Sequence, residues 1–275
     1  MKVYISVDME GIACVTHFDH IKLEGGAYEA ARKWTTAEAN AAIEGAFEGG
    51  ADEIVVSDGH GTAQNLIPDE LHEDITLVQG IPRPLLMMEG LDETFDAVFF
   101  IGYHARAGNP VGTLAHSFSG RLVHEIRLNQ DPVSEAIFNA AVAGHFEVPI
   151  ALISGDDELA VEIEKKLPWV ERVVTKWAIS GTSARNLTPK AAQAKIRSAA
   201  KASLENLESK EYFALPSPIR FEVDFKSPQD AYLVTDIPGI ERESGVSVRF
   251  TGSDMIEISR IWRLMLNACM GQSPV

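Results

Sequence analysis

Cysteine is nearly absent. Cys14 and Cys269 are the only two in 275 residues, and they stand far apart. That excludes a disulfide-stapled fold and a Cys-x-x-Cys metal knuckle. Positive charge is scarce too, with 24 Lys and Arg against 40 Asp and Glu and a formal net charge of −16. Nucleic-acid surfaces are basic, so no nucleic-acid partner is expected. The acidity serves solubility first and also permits attraction of metal ions and protonated amines. No apolar run approaches the roughly 20 residues that span a bilayer, so no membrane partner is expected. Met1 leads straight into an apolar stretch, without a basic segment, apolar core and cleavage site. With the low cysteine content, this predicts a cytoplasmic protein. Gly-x-Gly-x-x-Gly after the first strand and Gly-x-x-x-x-Gly-Lys are missing, which leaves nucleotide phosphate cradling unsupported. Gly-x-Ser-x-Gly is missing as well, which removes the serine-hydrolase elbow.

What is present reads as a sizeable globular chain, 45% apolar and 23% charged. Val3-Tyr4-Ile5 opens a strand. Tyr28 to Gly49 is an Ala-rich helix with Ala31, Trp34, Ala42, Ile43 and Phe47 as its buried stripe. Glu53 to Asp58 is a β-branched strand, and Asp96 to Gly102 is apolar throughout, as a strand covered on both faces is. A strand at Leu122 to Asn129, a helix from Ser134 to His145 and a strand at Pro149 to Ser154 follow. Asp157 is placed to cap the next helix. Glu171 to Ala178 is a strand, and Thr188-Pro189 opens a helix running to about Glu208. The alternation predicts an α/β fold, a mostly parallel sheet flanked by helices. Pro216-Ser217-Pro218 is the linker candidate. It divides a larger α/β portion, residues 1–215, to which the chemistry below belongs, from a small α+β portion, residues 216–275.

The chemistry gathers where strands end. The first strand runs into Ser6-Val7-Asp8-Met9-Glu10-Gly11, and in a pleated strand Asp8 and Glu10 share a face. Buried carboxylates need donors or a cation. His60 closes the second strand and His104 the strong apolar one. Parallel strands bring their carboxyl ends to one edge, where open α/β sheets bind ligands. Two carboxylates and two imidazoles suit zinc or another divalent transition metal. With Glu135 as a fifth ligand, two metals can be held if Asp8 bridges them. Asp58 has two readings of equal weight, an orienting partner of His60 or a turn former before Gly59. Cys14 lies near the site in sequence but has no assigned base, and reads as incidental. His17, His20, His72, His124 and His145 share no context and read as surface or core histidines.

Taken together, Ser6 to Gly11, Ser57-Asp58-Gly59-His60, Met88-Glu89-Gly90-Leu91-Asp92, Ile101 to Ala107, Ala115-His116-Ser117 and Pro149 to Asp157 resemble the D-aminopeptidase family of zinc metallopeptidases. The resemblance implies two zinc ions per subunit, with Asp8 bridging and Glu10, His60, His104 and Glu135 completing the shells. It implies that His116 is an additional catalytic histidine. It implies an aminopeptidase that removes an N-terminal residue, a D-amino acid, from short peptides with a free amino terminus. It also implies a large ring-like homo-oligomer, on the scale of a decamer. The loop Ile12 to Gly26, with Cys14, His17 and His20, departs from the family pattern. Two alternatives stand beside this reading: another two-metal amidohydrolase or phosphoesterase, and a metal-binding assembly protein without turnover.

Overall fold

The computed structural model describes residues 1–271. The chain runs β1 (Lys2–Val7), α1 (Phe18–Ile21), α2 (Gly26–Glu48), β2 (Glu53–Asp58), β3 (Thr76–Val78), β4 (Ala97–Tyr103), β5 (Val123–Leu128) and β6 (Asp131–Pro132). It continues through α3 (Glu135–His145), β7 (Ile150–Asp156), α4 (Asp157–Lys166), β8 (Glu171–Ser180), β9 (Ser183–Asn186) and α5 (Pro189–Glu205). The tail adds β10 (Ile219–Phe225), α6 (Pro228–Val234), β11 (Glu241–Arg242), β12 (Ser247–Gly252) and α7 (Met255–Met270).

The first sheet has the strand order β3-β2-β1-β4-β7-β8-β9. Its neighbours are parallel except at the β8–β9 hairpin. The period of two is visible in the core. Val3, Ile5 and Val7 of β1, with Phe99 and Ile101 of β4, pack into one apolar cluster together with α2 and α5 residues such as Ala42, Ile43, Ile196 and Ala200. Tyr4, Val98 and Phe100 point the other way, into a second cluster with α3 and the tail. Both faces are therefore covered, which is why β4 is apolar at nearly every position. Helix α3 packs against both β4 and α7, and its residues 135–144 are buried all round.

The second sheet is antiparallel, with the order β11-β12-β10-β5-β6. The tail strands thus pair with β5 and β6, which come from residues 123–132. Trp262 of α7 is fully buried and meets Phe118 and Phe221 edge-on. Among the described residues, no helix is long and apolar enough to cross a membrane.

The order reverses between β1 and β4. From β1 the chain builds outward through β2 and β3, then returns to place β4 on the opposite side of β1. Such a switch point leaves a crevice beyond the strands' carboxyl ends. Two glycines let the backbones close there. A side chain on Gly11 would put its Cβ 1.8 Å from the Tyr103 carbonyl oxygen, and one on Gly102, whose φ is +74°, would lie 2.3 Å from the Asp8 oxygen.

A few local expectations are corrected. β1 ends at Val7, so Asp8 and Glu10 stand in the turn beyond it and do not share a pleat face. The cap of α4 is Asp156, whose side chain accepts from the Leu159 amide; Asp157 is the first helical residue and accepts instead from the Ala178 amide. α5 stops at Glu205, and a short helix, α1, interrupts the loop Ile12 to Gly26.

Candidate metal centre

Four successive pieces of backbone deliver the polar groups. Asp8 and Glu10 follow β1, and the turn is pinned to β4 by hydrogen bonds from Asp8 N to Ile101 O, 2.8 Å, and from Gly11 N to Gly102 O, 2.7 Å. His60 comes two residues after β2, and Gly59 N donates to Val7 O at 2.7 Å, tying this turn to the end of β1. His104 directly follows β4. Glu135 is the first residue of α3 behind the Ser134 cap, where the helix dipole favours a carboxylate.

With His116, from the loop between β4 and β5, these side chains form two groups with atoms close enough to share an ion: Asp8, Glu10 and His60, and His104, His116 and Glu135. His60 Nδ1 lies 2.9 Å from Glu10 Oε2 and 3.5 Å from Asp8 Oδ1. His104 Nε2 lies 3.4 Å from Asp8 Oδ2 and 3.5 Å from Glu135 Oε1. Asp8 therefore offers one oxygen to each group. His116 Nε2 is 3.7 Å from Glu135 Oε1 and 3.8 Å from Glu10 Oε1, and its ring stacks on His104 with centroids 4.3 Å apart.

Each imidazole is set by its outer nitrogen. His60 Nε2 faces the Ile21 carbonyl at 3.0 Å, His104 Nδ1 the Ala105 carbonyl at 2.9 Å, and His116 Nδ1 the Leu114 carbonyl at 2.9 Å. A carbonyl can only accept, so each outer nitrogen carries the proton. The lone pair, in a neutral ring, is left on the nitrogen that faces the carboxylates.

The buried atoms Asp8 Oδ2, Glu10 Oε2 and His104 Nε2 have no hydrogen-bond partner. Buried polar atoms are rarely left so; Asp8 Oδ2 and His104 Nε2 lie 3.4 Å apart and Glu10 Oε2 lies beside the His60 ring, so each group holds orphaned atoms that fit a cation. Electrostatics agrees. Burial pushes the Asp8 carboxyl up, yet the adjacent His104 and His60 imidazoles outweigh it and hold Asp8 well below the usual carboxylate range. Glu10 is likewise lowered, against burial, chiefly by the charge of His60. Burial lowers His60 and His104, and their carboxylate neighbours raise both well above the usual imidazole value. The polypeptide alone thus recruits positive charge to this point.

The D-aminopeptidase family pattern matches residues 1–264. The chain belongs to the D-aminopeptidase family. It is 34% identical over 274 residues to the D-aminopeptidase of Bacillus subtilis (strain 168), covering 99% of both chains. A solved structure from the same organism, the Zn-dependent D-aminopeptidase DppA, a self-compartmentalizing protease, superposes with a TM-score of 0.95 at 33% identity over the whole of both chains.

In this family member the six residues singled out from sequence, Asp8, Glu10, His60, His104, His116 and Glu135, lie at one sheet edge. Asp58 makes no hydrogen bond to the His60 ring. Its carboxylate accepts from the amides of Asn65, 2.5 Å, and Leu66, 2.8 Å, and Asn65 Nδ2 donates to the His60 carbonyl at 2.6 Å. It shapes the turn that carries His60. Cys14 is half-buried, and burial pushes its thiol up, away from a nucleophile's range. Three supporting groups escaped the sequence reading. Asp156 accepts from the Ala105 amide at 3.0 Å and steadies the His104 turn. Arg83 donates to the Asp58 carbonyl at 2.7 Å. Phe118 N donates to Glu135 Oε1 at 2.6 Å and ties the His116 loop to α3. Asp156 ends an apolar strand, the signal that singled out Asp8; Arg83 and Phe118 carry no local mark.

Proposed function

We propose that this chain is a zinc-dependent aminopeptidase that removes the N-terminal residue, a D-amino acid, from short peptides. Two zinc ions per subunit are held by Asp8, Glu10, His60, His104 and Glu135. The observation that carries the reading is the pair of carboxylate–imidazole groups with Asp8 between them, Oδ1 near His60 and Oδ2 near His104, and with buried carboxylate and imidazole atoms that have no partner. The zinc dependence and D-specificity named for the Bacillus subtilis relatives support it.

When bound, the zinc pair supplies an activated water and polarises the scissile carbonyl. Glu10 and His60 on one side, His104 and Glu135 on the other, and Asp8 between them would hold the metals. The carboxylates at this edge suit a substrate with a free ammonium group. His116, its Nδ1–H held by the Leu114 carbonyl, takes on Nε2 the proton released by the attacking water and passes it to the departing amine, work that an imidazole does near neutral pH. Its place beside Glu10 and Glu135 favours one further reading, a sixth ligand. Metal content of His116→Ala separates the two roles.

By analogy with the self-compartmentalizing relative, the chain assembles into a large ring-like homo-oligomer, of decamer scale, enclosing its active sites. Its setting is the cytoplasm. The test is a panel of free-amine D-aminoacyl peptides, their L-epimers, their N-acetylated forms and phosphate esters. Turnover confined to the free-amine D-peptides supports the proposal. Faster cleavage of L-peptides overturns the stereochemistry, and hydrolysis of phosphate esters alone overturns the peptidase assignment.

A further inference from the structure

Lys176 sits in the middle of β8 with no exposed surface. A buried ammonium is costly, and a methionine or leucine would fill similar space without that cost. Its hydrogen-bond acceptors are two main-chain carbonyls, those of Glu10 and Val15. These two carbonyls stand at the start and the end of one tight loop, the loop that carries Glu10.

Neighbouring groups hold the same loop. The Thr175 hydroxyl lies 2.6 Å from the Gly11 carbonyl oxygen. The Ala13 amide donates to Glu38 Oε1 at 2.9 Å, and the Cys14 amide to Asn186 Oδ1 at 3.0 Å. Cys14 itself has φ +71°, a conformation that non-glycine residues adopt only when their surroundings impose it. Of these holders only Lys176 grips the backbone of Glu10 itself. Burial lowers its amine to about 8, while the charges of Asp156, Glu38 and Glu10 favour the ammonium.

We propose that Lys176 is a positioning residue: by cross-linking the carbonyls of Glu10 and Val15, it fixes the loop so that the Glu10 carboxylate meets His60 in metal-binding geometry. This rests on the two-zinc reading above. The sign of the effect is diagnostic. A lysine acting only through its charge would repel zinc, so its removal would tighten binding. A lysine acting through position loosens zinc when removed.

The experiment compares wild type with Lys176→Met. Zinc affinity is measured by chelator competition, and backbone mobility by hydrogen exchange of the zinc-free proteins. The expected result is at least a tenfold weakening of one of the two zinc ions, with the other retained. Exchange of the amides in residues 11–15 rises at least tenfold, while β4 and α3 are unchanged. Zinc held as tightly as in wild type, or more tightly, overturns the proposal, as does unchanged exchange in residues 11–15. If Lys176→Met does not fold, Lys176→Gln carries both measurements. If neither folds, Lys176 is a core-stability residue and the positioning role is rejected. Zinc binding by wild type is the control for the reading beneath: its failure removes the metal centre and the proposal together, whereas failure in the variant alone touches only Lys176.

Discussion

Asp8 has no interchangeable neighbour in the site. Oδ1 faces His60 and Oδ2 faces His104, whereas the Glu10 carboxylate lies closest to His60. Asp8→Ala is therefore expected to empty both ion positions, and Glu10→Ala to empty one. Metal analysis of the purified variants checks this, and equal losses would remove the bridging role. His116 separates in the same way. As a proton donor, its alanine variant keeps both ions and the fold but loses roughly two to four orders of magnitude in turnover. Loss of an ion instead makes His116 a ligand, and a fully metallated variant within a few-fold of wild type leaves it no catalytic part.

At the scale of elements, the site depends on how closely two turns approach. The Gly11 and Gly102 contacts leave no room for a methyl group between the ends of β1 and β4. Gly11→Ala forces backbone against backbone, which is expected to cost about 3 kcal/mol or more and to disperse the ligands. Denaturant unfolding of the zinc-free protein measures the first effect and zinc uptake the second. The contact between α2 and the Glu10 loop gives a pH signature. Glu38 is fully buried, and burial pushes its carboxyl from the ordinary 4.5 up to about 8, with the Ala13 amide and Lys176 pulling the other way. A raised native value means that the stabilisation is complete below pH 4.5 and is lost as pH rises through about 8. Gln cannot ionise and can still accept from the Ala13 amide. Glu38→Gln is thus expected to melt close to wild type at pH 5 and a few degrees above it, on the order of 2–4 °C, at pH 9. A difference in melting temperature that does not change with pH contradicts the assignment.

The same scale explains what could be read in advance. Elements that are apolar almost throughout, such as β4 and α3, carry their burial in their own residues. The strand ends carry the site for a related reason: carboxylates and imidazoles directly after apolar runs are conspicuous, and parallel pairing sends them to one edge. What could not be read depends on contacts between distant segments. Lys176 looks like any polar residue in an alternating strand until the loop at residues 10–15 is folded over it. The carbonyls of Ile21, Ala105 and Leu114, which orient the three histidines, have no side-chain signature at all. That the tail shares a sheet with β5 and β6 depends on pairing between Phe221 and Leu128, about ninety residues apart.

For the molecule as a whole, the chain matches a relative of the same family from end to end, with both sheets included. A ring-like assembly predicts a single species many times the 30.0 kDa chain mass in sedimentation velocity. A monomer or dimer at micromolar concentration would exclude a compartment. The central claim, however, is the paired metal centre where the sheet order reverses, and it is tested most directly by anomalous diffraction at the zinc edge from crystals of the zinc-loaded protein. The account predicts two peaks per chain, one against Glu10 and His60, the other against His104 and Glu135, with Asp8 reaching both. A single peak, or two peaks that do not share Asp8, would contradict it.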